Sequence, residues 1–291
     1  MTTRLCEVCG APTQHQLLYE IRRCLVYRCL GCGLGSTEVP PGFTPLDLYD
    51  AGYFAGGQYD GYGDYLASEP VLRREFQTIV EALLRCVAPG GRVLEIGSAY
   101  GFFLSEARRH FDCVGIEVSP GAVQHCQARG LDVRQGTLDQ IVKTSNLGEF
   151  DAVVMLDVIE HLEHPLETLR LLRSLARPRA VLLMTTGDWE SRVARAMGRK
   201  WRLMTPPQHL FFFSKATLGS LLTRAGFEPA AWTHPWKIVP VGLVAYQAAR
   251  RLGLRLSIGE ALYRIGVPVN LFDALRVVAR RTTDDPRHLD F

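Results

Sequence analysis

A glycine-containing turn between two apolar segments constrains the fold of this chain more than any other feature. Residues 92–96 lead into Gly97-Ser98-Ala99-Tyr100-Gly101, and a second segment, residues 114–118, carries an acid at Glu117. The pattern predicts a strand, a tight turn, a helix and a second strand that ends in a carboxylate. There the carboxylate can accept hydrogen bonds from two ribose hydroxyls, while glycine allows close approach of a ligand to the backbone. We therefore expect a cradle for a nucleoside cofactor.

The dinucleotide-binding fingerprint fits this turn poorly. Counted from Gly97, its G-x-G-x-x-G spacing requires glycine at the positions of Ala99 and Phe102. Taken alone, the segment also fits a site for another nucleotide, or a turn with a structural role only.

Alternating segments along the chain predict an α/β fold with a doubly wound parallel sheet. The predicted strands lie near residues 92–98, 113–119, 132–136, 150–157, 180–186, 227–233 and 272–280. The predicted helices lie near residues 68–87, 101–110, 120–129, 165–176 and 215–226. Residues 236–270 form an insertion with helical Leu and Ala periodicity. We expect it to cover the substrate, to form a dimer surface or to cap one face of the sheet.

Further motifs indicate that the chain resembles a known family. Asp157-x-x-Glu160-His161 follows the fourth predicted strand, at the edge of a parallel sheet where ligands bind. With this cluster, Glu95-x-Gly97-x-Ala99-x-Gly101, Gly136-Thr137-Leu138 and the segment 207–214, the chain resembles the class I S-adenosylmethionine-dependent methyltransferases over about residues 60 to 280. It is most similar to the branch that contains the ubiquinone-biosynthesis O-methyltransferase. Ala99 departs from the family's glycine by one methyl group.

The resemblance implies a Rossmann-like seven-stranded sheet whose last strand lies antiparallel beside the sixth. It also implies S-adenosylmethionine as the cofactor. The cofactor-binding residues that it implies are Glu95, Gly97, Ser98, Ala99, Tyr100, Gly101, Phe102, Glu117, Val118, Thr137, Leu138 and Asp157.

Two cysteine pairs predict a zinc ribbon over residues 1–40. Cys6-x-x-Cys9 and Cys29-x-x-Cys32 are separated by 19 residues, so that two tight turns can bring four thiolates around one ion in a closed, structural site. A redox pair or two disulfides are the alternatives. Residues 1–20 show no secretory pattern, which favours a reducing, cytoplasmic location and hence zinc. The remaining cysteines, at positions 24, 86, 113 and 126, are expected to be packed residues.

Residues 41–67 are an aromatic-rich connecting segment, and residues 68–291 are the expected methyltransferase domain. The aromatic residues of the connection are Tyr49, Tyr53, Phe54, Tyr59, Tyr62 and Tyr65. They are too numerous for a solvated linker, so we expect them either to pack the ribbon onto the main domain or to close over the cofactor as a lid. The polar tail, residues 281–291, is expected to be loose.

Three residues are candidates for catalysis. Methyl transfer in this family is an in-line displacement, so a hydroxyl acceptor needs a base to remove its proton. His209 and His161 lie on loops predicted to face the cofactor cleft, and Asp157 is the third candidate. Asp157, Glu160 and His161 also resemble a cluster that binds a divalent cation and orients the acceptor in the ubiquinone-pathway enzymes. The structural alternatives are a helix-start role for His161 and a loop anchor at His209.

Charge and composition favour a small-molecule enzyme. A net charge of +3 gives no reason to expect a nucleic-acid or membrane surface. Basic residues at 192, 195, 199, 200 and 202 favour an anionic acceptor, since the first three share one face of a predicted helix. We expect O-methylation of a sugar or natural-product intermediate by a monomer or homodimer. The alternatives are C-methylation of a nucleotide-linked sugar, known in longer chains, and a non-catalytic zinc-ribbon interaction module on a methyltransferase scaffold.

Overall fold

A computed structural model describes residues 1–49, 54, 64–251, 253–254 and 258–283. The protein divides into two compact units. The first comprises Met1–Pro45, Val142–Pro235 and Leu271–Phe291, and the second comprises Leu46–Ile141 and Trp236–Asn270. Tyr53, Tyr59 and Tyr62 of the connecting segment lie outside the described residues, as does the tail from residue 284 onward.

The described residues form strands and helices in the following chain order. The strands are β1 (Thr2–Leu5), β2 (Pro12–Ile21), β3 (Cys24–Cys29), β4 (Gly35–Glu38), β5 (Arg92–Ile96), β6 (Asp112–Glu117), β7 (Val133–Gln135), β8 (Phe150–Leu156), β9 (Ala176–Gly187), β10 (Phe211–Phe212), β11 (Phe227–Thr233), β12 (Lys237–Pro240), β13 (Gly266–Val269) and β14 (Ala274–Arg281). The helices are α1 (Glu69–Leu84), α2 (Phe102–Ala107), α3 (Pro120–Ala128), α4 (Leu138–Thr144), α5 (Pro165–Leu175), α6 (Arg192–Met197), α7 (Lys215–Arg224), α8 (Val241–Arg251) and α9 (Glu260–Tyr263).

The main sheet has the strand order β11-β14-β9-β8-β5-β6-β7. The first four of these strands belong to the first unit and the last three to the second. The pairs β5–β6, β6–β7 and β8–β9 are parallel, whereas β14 lies between β9 and β11 and is antiparallel to both. The predicted α/β fold with a seven-stranded sheet and an antiparallel last strand is therefore confirmed.

A second sheet in the first unit contains the amino-terminal strands and one strand from far along the chain. Its order is β1-β2-β3-β4-β10. Val26 of β3 is fully buried in a cluster with Trp189, Trp201, Met204 and Phe212. The amino-terminal strands therefore share a hydrophobic core with residues 189–212.

The second unit contains three parallel strands and the helices that precede and follow them. Helix α1 buries Ile79 and Leu83 on its apolar face, as its periodicity predicts. Glu106 of α2 is almost completely buried, and Arg73 of α1 donates to it at 2.6 Å while Gln77 donates at 3.2 Å. These charged hydrogen bonds fix α2 against α1.

The insertion, residues 236–270, contains two helices, as its periodicity predicts, and also two strands that were not predicted. Strands β12 and β13 pair antiparallel and enclose the two short helices α8 and α9. Glu75 of α1 holds the hairpin, because its carboxylate accepts from the Ile238 amide at 3.0 Å and lies 3.3 Å from Lys237 Nζ. The strands escaped the sequence prediction because each has only four residues and pairs with a distant segment.

The basic segment after β9 also differs from its prediction. Helix α6 ends at Met197, and Gly198 then takes a φ of 52°, so Arg199 does not continue the helical face of Arg192 and Arg195. Arg202 is held by an ion pair with Asp273 at 2.9 Å. No helix among the described residues has the length and apolar character that a membrane crossing requires.

Asp273 gives a test of the stability of the first unit. Its buried carboxylate accepts from Arg202 Nε and Nη2 and from Trp201 Nε1, each at 2.9 Å. Burial alone would raise the pKa of Asp273, but these donors bring that pKa below its ordinary value. We expect Asp273→Asn to lower the free energy of unfolding by about 1–3 kcal/mol at pH 7, the cost of a lost charged hydrogen bond.

The pH dependence of this effect follows from the sign of the shift. A carboxylate with a depressed folded-state pKa stabilises above its unfolded pKa of about 3.9, and this contribution is lost as the pH falls through the folded-state pKa. The difference in melting temperature between wild type and variant should therefore shrink below about pH 4. Asp151→Asn is the control, because the Asp151–Arg177 pair is exposed and such pairs contribute about 1 kcal/mol or less. Equal effects of the two variants at pH 7 would refute the special role of Asp273.

Candidate functional site

The predicted cradle lies in the second unit and is organised around Glu117. The Glu117 carboxylate accepts from the backbone amides of Ala99 and Ser119, each at 2.8 Å. The turn between β5 and α2 has positive φ at Gly97 (73°), Ala99 (46°) and Gly101 (72°). Ala99 is thus an L-residue in the left-handed region, which costs about 1–2 kcal/mol relative to the right-handed one. The family's glycine at this position would avoid this cost.

Packing gives Gly101 a role in addition to the predicted one. A Cβ at Gly101 would lie 2.5 Å from Leu131 Cδ1 and 2.8 Å from Cys126 Sγ, which are contacts inside the protein. Packing and the positive φ therefore favour glycine at this position. Its role in the close approach of the cofactor stays a prediction.

Two polar side chains beside the turn have unused hydrogen-bonding capacity. Glu95 is 3% exposed and Ser98 is also 3% exposed. Glu95 Oε2 and Ser98 Oγ have no hydrogen-bond partner among the described residues. Since buried polar atoms are rarely left unpaired, these two atoms are suited to meet the polar groups of a bound molecule. This arrangement fits the cofactor that the motif implies.

The electrostatics of the cradle come from two buried carboxyl groups. Burial, followed by the proximity of Glu117, raises the pKa of Glu95 well above its usual value. Burial also raises the pKa of Glu117, although the amide donors of Ser119, Ala99 and Val118 oppose this effect. A carboxylate has about four lone-pair sites, so Glu117 retains acceptor capacity beyond its bonds to Ala99 and Ser119.

Aromatic rings pack against the turn. Phe54 and Tyr65 are buried beside Tyr100 and Phe102, with ring centroids 5.0 Å apart for Phe54–Tyr100 and 5.2 Å apart for Tyr65–Phe102. These described members of the aromatic segment therefore support the backbone of the cradle. The role of the segment as a lid over the cofactor stays a prediction.

The loop after β7 is bonded to the cradle. The Gly136 amide donates to the Glu117 carbonyl at 2.9 Å. This bond joins the loop that carries Thr137 and Leu138 to the end of β6. Leu138 is buried at the start of α4, and the Thr137 amide donates to Gln140 Oε1 at 3.0 Å. Val118 follows Glu117 directly and is half-buried. The predicted cofactor residues of the second unit are thus brought together around Glu117.

Asp157, the remaining predicted cofactor residue, lies in the first unit at the end of β8. It is exposed and has a φ of 55°. Its amide donates to the Thr185 carbonyl at 3.0 Å, and the Thr185 hydroxyl donates to its Oδ1 at 2.8 Å. Asp157 is therefore held by the neighbouring strand β9.

His161 and His209 form a close pair in the first unit. Their ring centroids are 4.7 Å apart and the rings are nearly perpendicular. His161 Nδ1 lies 2.9 Å from the Gln208 carbonyl, which only accepts, so Nδ1 carries the proton and Nε2 has the lone pair in the neutral ring. His209 is 9% exposed, and burial, followed by repulsion from His161, lowers its pKa to about 3. Burial also lowers the pKa of His161.

The candidate divalent-metal cluster has a different membership from the predicted one. The structure brings donor atoms of Glu160, His161 and His209 within 4.8 Å of one another. Asp157 is not part of this group, so the predicted set of Asp157, Glu160 and His161 is wrong in one member. Sequence order places Asp157 near Glu160, but the chain reversal at residues 205–210 brings His209 closer.

The four predicted metal-binding cysteines lie together. Donor atoms of Cys6, Cys9, Cys29 and Cys32 are all within 4.8 Å of one another. The sulfur atoms of Cys6 and Cys32 are 3.5 Å apart, and those of Cys9 and Cys29 are 3.8 Å apart. A tetrahedral ion with bonds of about 2.3 Å to sulfur requires sulfur–sulfur distances of roughly 3.8 Å. The donor set therefore fits a closed four-thiolate metal site.

The other cysteines are packed residues, as predicted. Cys24 and Cys126 are buried, and Cys86 and Cys113 are half-buried. Burial raises the pKa of Cys113 and Cys126 to about 12, so neither thiol is a ready nucleophile.

The sequence analysis gave no individual role to Thr37, Thr185 or Gln208. Thr185 and Gln208 hold Asp157 and His161, and the Thr37 hydroxyl donates to the His209 carbonyl at 2.7 Å. Each of these contacts joins residues at least 28 positions apart in the chain. No local pattern could have identified them.

Comparison with known proteins places the chain in a family. The ubiquinone biosynthesis O-methyltransferase of Azorhizobium caulinodans is 32% identical over 154 residues, which are 48% of this chain and 59% of that protein. Its counterpart in Cereibacter sphaeroides is 29% identical over 154 residues, 48% of this chain and 61% of that protein. The match therefore spans about three-fifths of the length of these relatives.

A solved structure and a family profile complete the comparison. The crystal structure of a SAM-dependent methyltransferase from Archaeoglobus fulgidus is 16% identical with a TM-score of 0.51, covering 72% of this chain and 94% of that one, and it shows the shared fold. The family profile described as "Methyltransferase domain" matches residues 71–231, which are more than half of the chain. The chain belongs to this methyltransferase domain family.

Proposed function

We propose that this protein is an S-adenosylmethionine-dependent methyltransferase that methylates an oxygen atom of a small molecule, such as a sugar or a natural-product intermediate. Glu117 carries the most weight. It lies at the carboxyl end of β6, is fixed by the amides of Ala99 and Ser119, and belongs to the region that matches the methyltransferase domain. The relatives are ubiquinone biosynthesis O-methyltransferases, which supports oxygen as the acceptor atom.

The cofactor supplies a methyl group on a positively charged sulfur, which is already activated for transfer. The protein must therefore bind the cofactor and the acceptor, align them, exclude water and accept a proton from the acceptor. Glu117 would bind the ribose hydroxyls, and Ser98 Oγ and Glu95 Oε2 would bind other polar atoms of the cofactor. The backbone of Gly97, in its left-handed turn, would allow close approach.

We assign proton removal to His161 in preference to His209. The Gln208 carbonyl accepts the Nδ1 proton of His161, so the neutral ring carries its basic lone pair on Nε2. With its pKa lowered to about 3, His209 is a much weaker base at neutral pH. A divalent cation on Glu160, His161 and His209 is the competing role for this cluster, because it would occupy the same lone pair.

An anionic acceptor remains part of the proposal. Arg192, Arg195, Arg199 and Lys200 have exposed side chains that can meet a phosphate or carboxylate group. A screen with labelled methyl donor against nucleotide sugars, glycosides and phenols would identify the acceptor. Exclusive methylation at carbon would overturn the assignment to oxygen.

For the four cysteines we propose structural zinc. A closed set of four thiolates leaves no position for water or substrate. The amides of Cys9 and Leu34 each donate to a cysteine sulfur at 3.5 Å, which supports thiolate ligands. Because about 40 residues bury little apolar surface, metal binding would supply part of the stability of the amino-terminal strands.

The cofactor assignment can be tested at Glu117. Glu117→Ala should weaken the binding of S-adenosylhomocysteine by about 10- to 100-fold, since two hydrogen bonds to a charged acceptor are lost. Isothermal titration calorimetry measures the affinity, and circular dichroism checks the fold. Glu81→Ala, an exposed acid on α1 of the same unit, is the matched control. A folded Glu117→Ala protein with wild-type affinity would remove the main support for the proposal.

The zinc assignment can be tested by metal analysis. Cys9→Ser or Cys29→Ser should lower the zinc content from about one ion per chain, because each variant removes a ligand from a closed site. The amino-terminal region should also become sensitive to protease. Cys86→Ser, which lies outside the cluster, should keep its zinc. Full zinc retention in both ligand variants would contradict the four-cysteine site, and iron in its place would identify another metal.

The role of the histidine pair can be tested once an acceptor is known. His161→Gln should lower kcat by about 10² to 10⁴, the usual contribution of a positioned base, and leave the affinity for S-adenosylhomocysteine unchanged. His209→Gln should have a smaller effect on kcat. Turnover should be unaffected by a chelator that leaves the zinc in place. Loss of activity on chelation, restored by a divalent ion, would instead assign the cluster to metal binding.

A further inference from the structure

Strand β4 of the cysteine-bearing sheet is bonded to the segment that carries His209. Ser36 and Gly35 pair with Phe211 and Phe212 of β10. One residue further along, the Thr37 amide donates to the Leu210 carbonyl at 2.8 Å, and its hydroxyl donates to the His209 carbonyl at 2.7 Å. Residues 209–212 are therefore held along the edge of the amino-terminal sheet.

The same segment is also bonded to the turn that carries His161. The Leu210 amide donates to the Glu160 carbonyl at 2.8 Å, and His161 Nδ1 donates to the Gln208 carbonyl at 2.9 Å. The backbone of residues 208–210 thus joins Thr37 on one side to Glu160 and His161 on the other. A displacement of this backbone would move the carbonyl that fixes the His161 tautomer, and with it the position of the His209 ring.

Side chains beside the cysteines reinforce this connection. Arg28 directly precedes Cys29, and its guanidinium lies 5.2 Å from the centre of the Trp189 ring. Trp189 stacks on Phe212 with centroids 6.0 Å apart, and its amide donates to the Phe213 carbonyl at 3.0 Å. Strand β3, which ends at Cys29, is therefore packed through Trp189 onto the carboxyl end of β10.

A second connection reaches the first cysteine pair. Arg224, in the last turn of α7, donates from Nη1 to the carbonyls of Glu7 and Val8, each at 2.7 Å. Glu7 and Val8 are the two residues between Cys6 and Cys9, so the guanidinium is hydrogen-bonded to the loop that carries these two cysteines. The geometry of the cysteine cluster is thus coupled to the rest of the unit at two separate places.

From these contacts we infer that the four-cysteine module is a positioning element for the His161–His209 pair, and that Thr37 is the positioning residue that connects them. Its catalytic meaning rests on the proposed function, but the structural coupling does not. A loop that is bonded to a sheet cross-linked by a metal is positioned more precisely than an unsupported loop. Displacement of a reacting group by about 1 Å can lower the rate by up to about 10².

The charges on the module support this role over recruitment of a nucleic acid. Arg4 is paired with Glu38, and Arg28 is paired with Glu190. The positive charge of both side chains is therefore balanced within the protein. A module that recruits a polyanion would present such arginines unpaired to phosphate groups.

Thr37→Val tests the inference, because valine keeps the shape and the backbone bond of Thr37 and removes only the hydroxyl donor. Thr3→Val is the control, since the Thr3 hydroxyl accepts from Gln14 within the module. The readout is the ring NMR signals of His161 and His209 in the full-length zinc-loaded protein, assigned with His161→Gln and His209→Gln. We expect Thr37→Val to shift both signals and Thr3→Val to leave them in place.

Zinc removal by a chelator should shift the same two signals, while the affinity for S-adenosylhomocysteine stays within about twofold of the untreated protein. With an identified acceptor, Thr37→Val should lower kcat by up to about 10² and leave the KM of the methyl donor unchanged. Unshifted histidine signals in a folded Thr37→Val protein would overturn the inference even if methyl transfer is confirmed. Failure to bind S-adenosylhomocysteine would instead overturn the proposed function and leave the NMR result intact.

Discussion

The cradle depends on one carboxylate that is bonded to the backbone of the turn it faces. Glu117 accepts from the amides of Ala99 and Ser119, and so ties the turn after β5 to the start of α3. Without this acceptor, the amide of a left-handed Ala99 would lose its partner in a buried environment, which costs about 1–3 kcal/mol. The rings of Tyr100 and Phe102, the loop at Gly136 and the buried atoms of Glu95 and Ser98 are all arranged around this pair of bonds. The residue expected to bind ribose therefore also builds the site that would receive it.

The parts of the fold that the sequence predicted are those with local causes. Strand alternation, the turn at residues 97–101 and the cysteine spacing are short-range patterns, and the structure contains each of them. The failures involve distant partners. Strands β12 and β13 exist because they pair with each other across residues 241–265. The packing of Leu131 and Cys126 against Gly101 is likewise a long-range contact that the motif does not show. The metal-capable cluster contains His209 in place of Asp157 for the same reason, since spacing in the sequence does not report the chain reversal that places His209 beside His161.

Burial distinguishes His161 from His209 as candidates for the base, whereas the sequence pattern assigns both the same role. Both residues were candidates for the base because an isolated imidazole titrates near neutral pH. In the structure the two rings lie against each other, with His209 buried and His161 half-buried, so a proton on one opposes a proton on the other. His161 retains a defined tautomer through Gln208, whereas burial and the neighbouring ring make protonation of His209 unfavourable. In the proposed mechanism, His161 would therefore accept the proton and His209 would hold the geometry around it.

The amino-terminal module shows how a small sheet with a cluster of four cysteines can be stabilised by packing against the rest of its unit. About 40 residues rarely bury enough apolar surface to fold alone. In this protein, Val26 of the module packs in a cluster with Trp189, Trp201 and Phe212. Strand β10 also pairs with β4 and extends the sheet of the module. Its stability is then inseparable from that of residues 189–212, which include His209. Cross-linking the four cysteines would stiffen the module, and the shared core and Thr37 would carry that stiffness to the histidine pair. Selection for a stable module and selection for a well-placed His209 would therefore act on the same contacts.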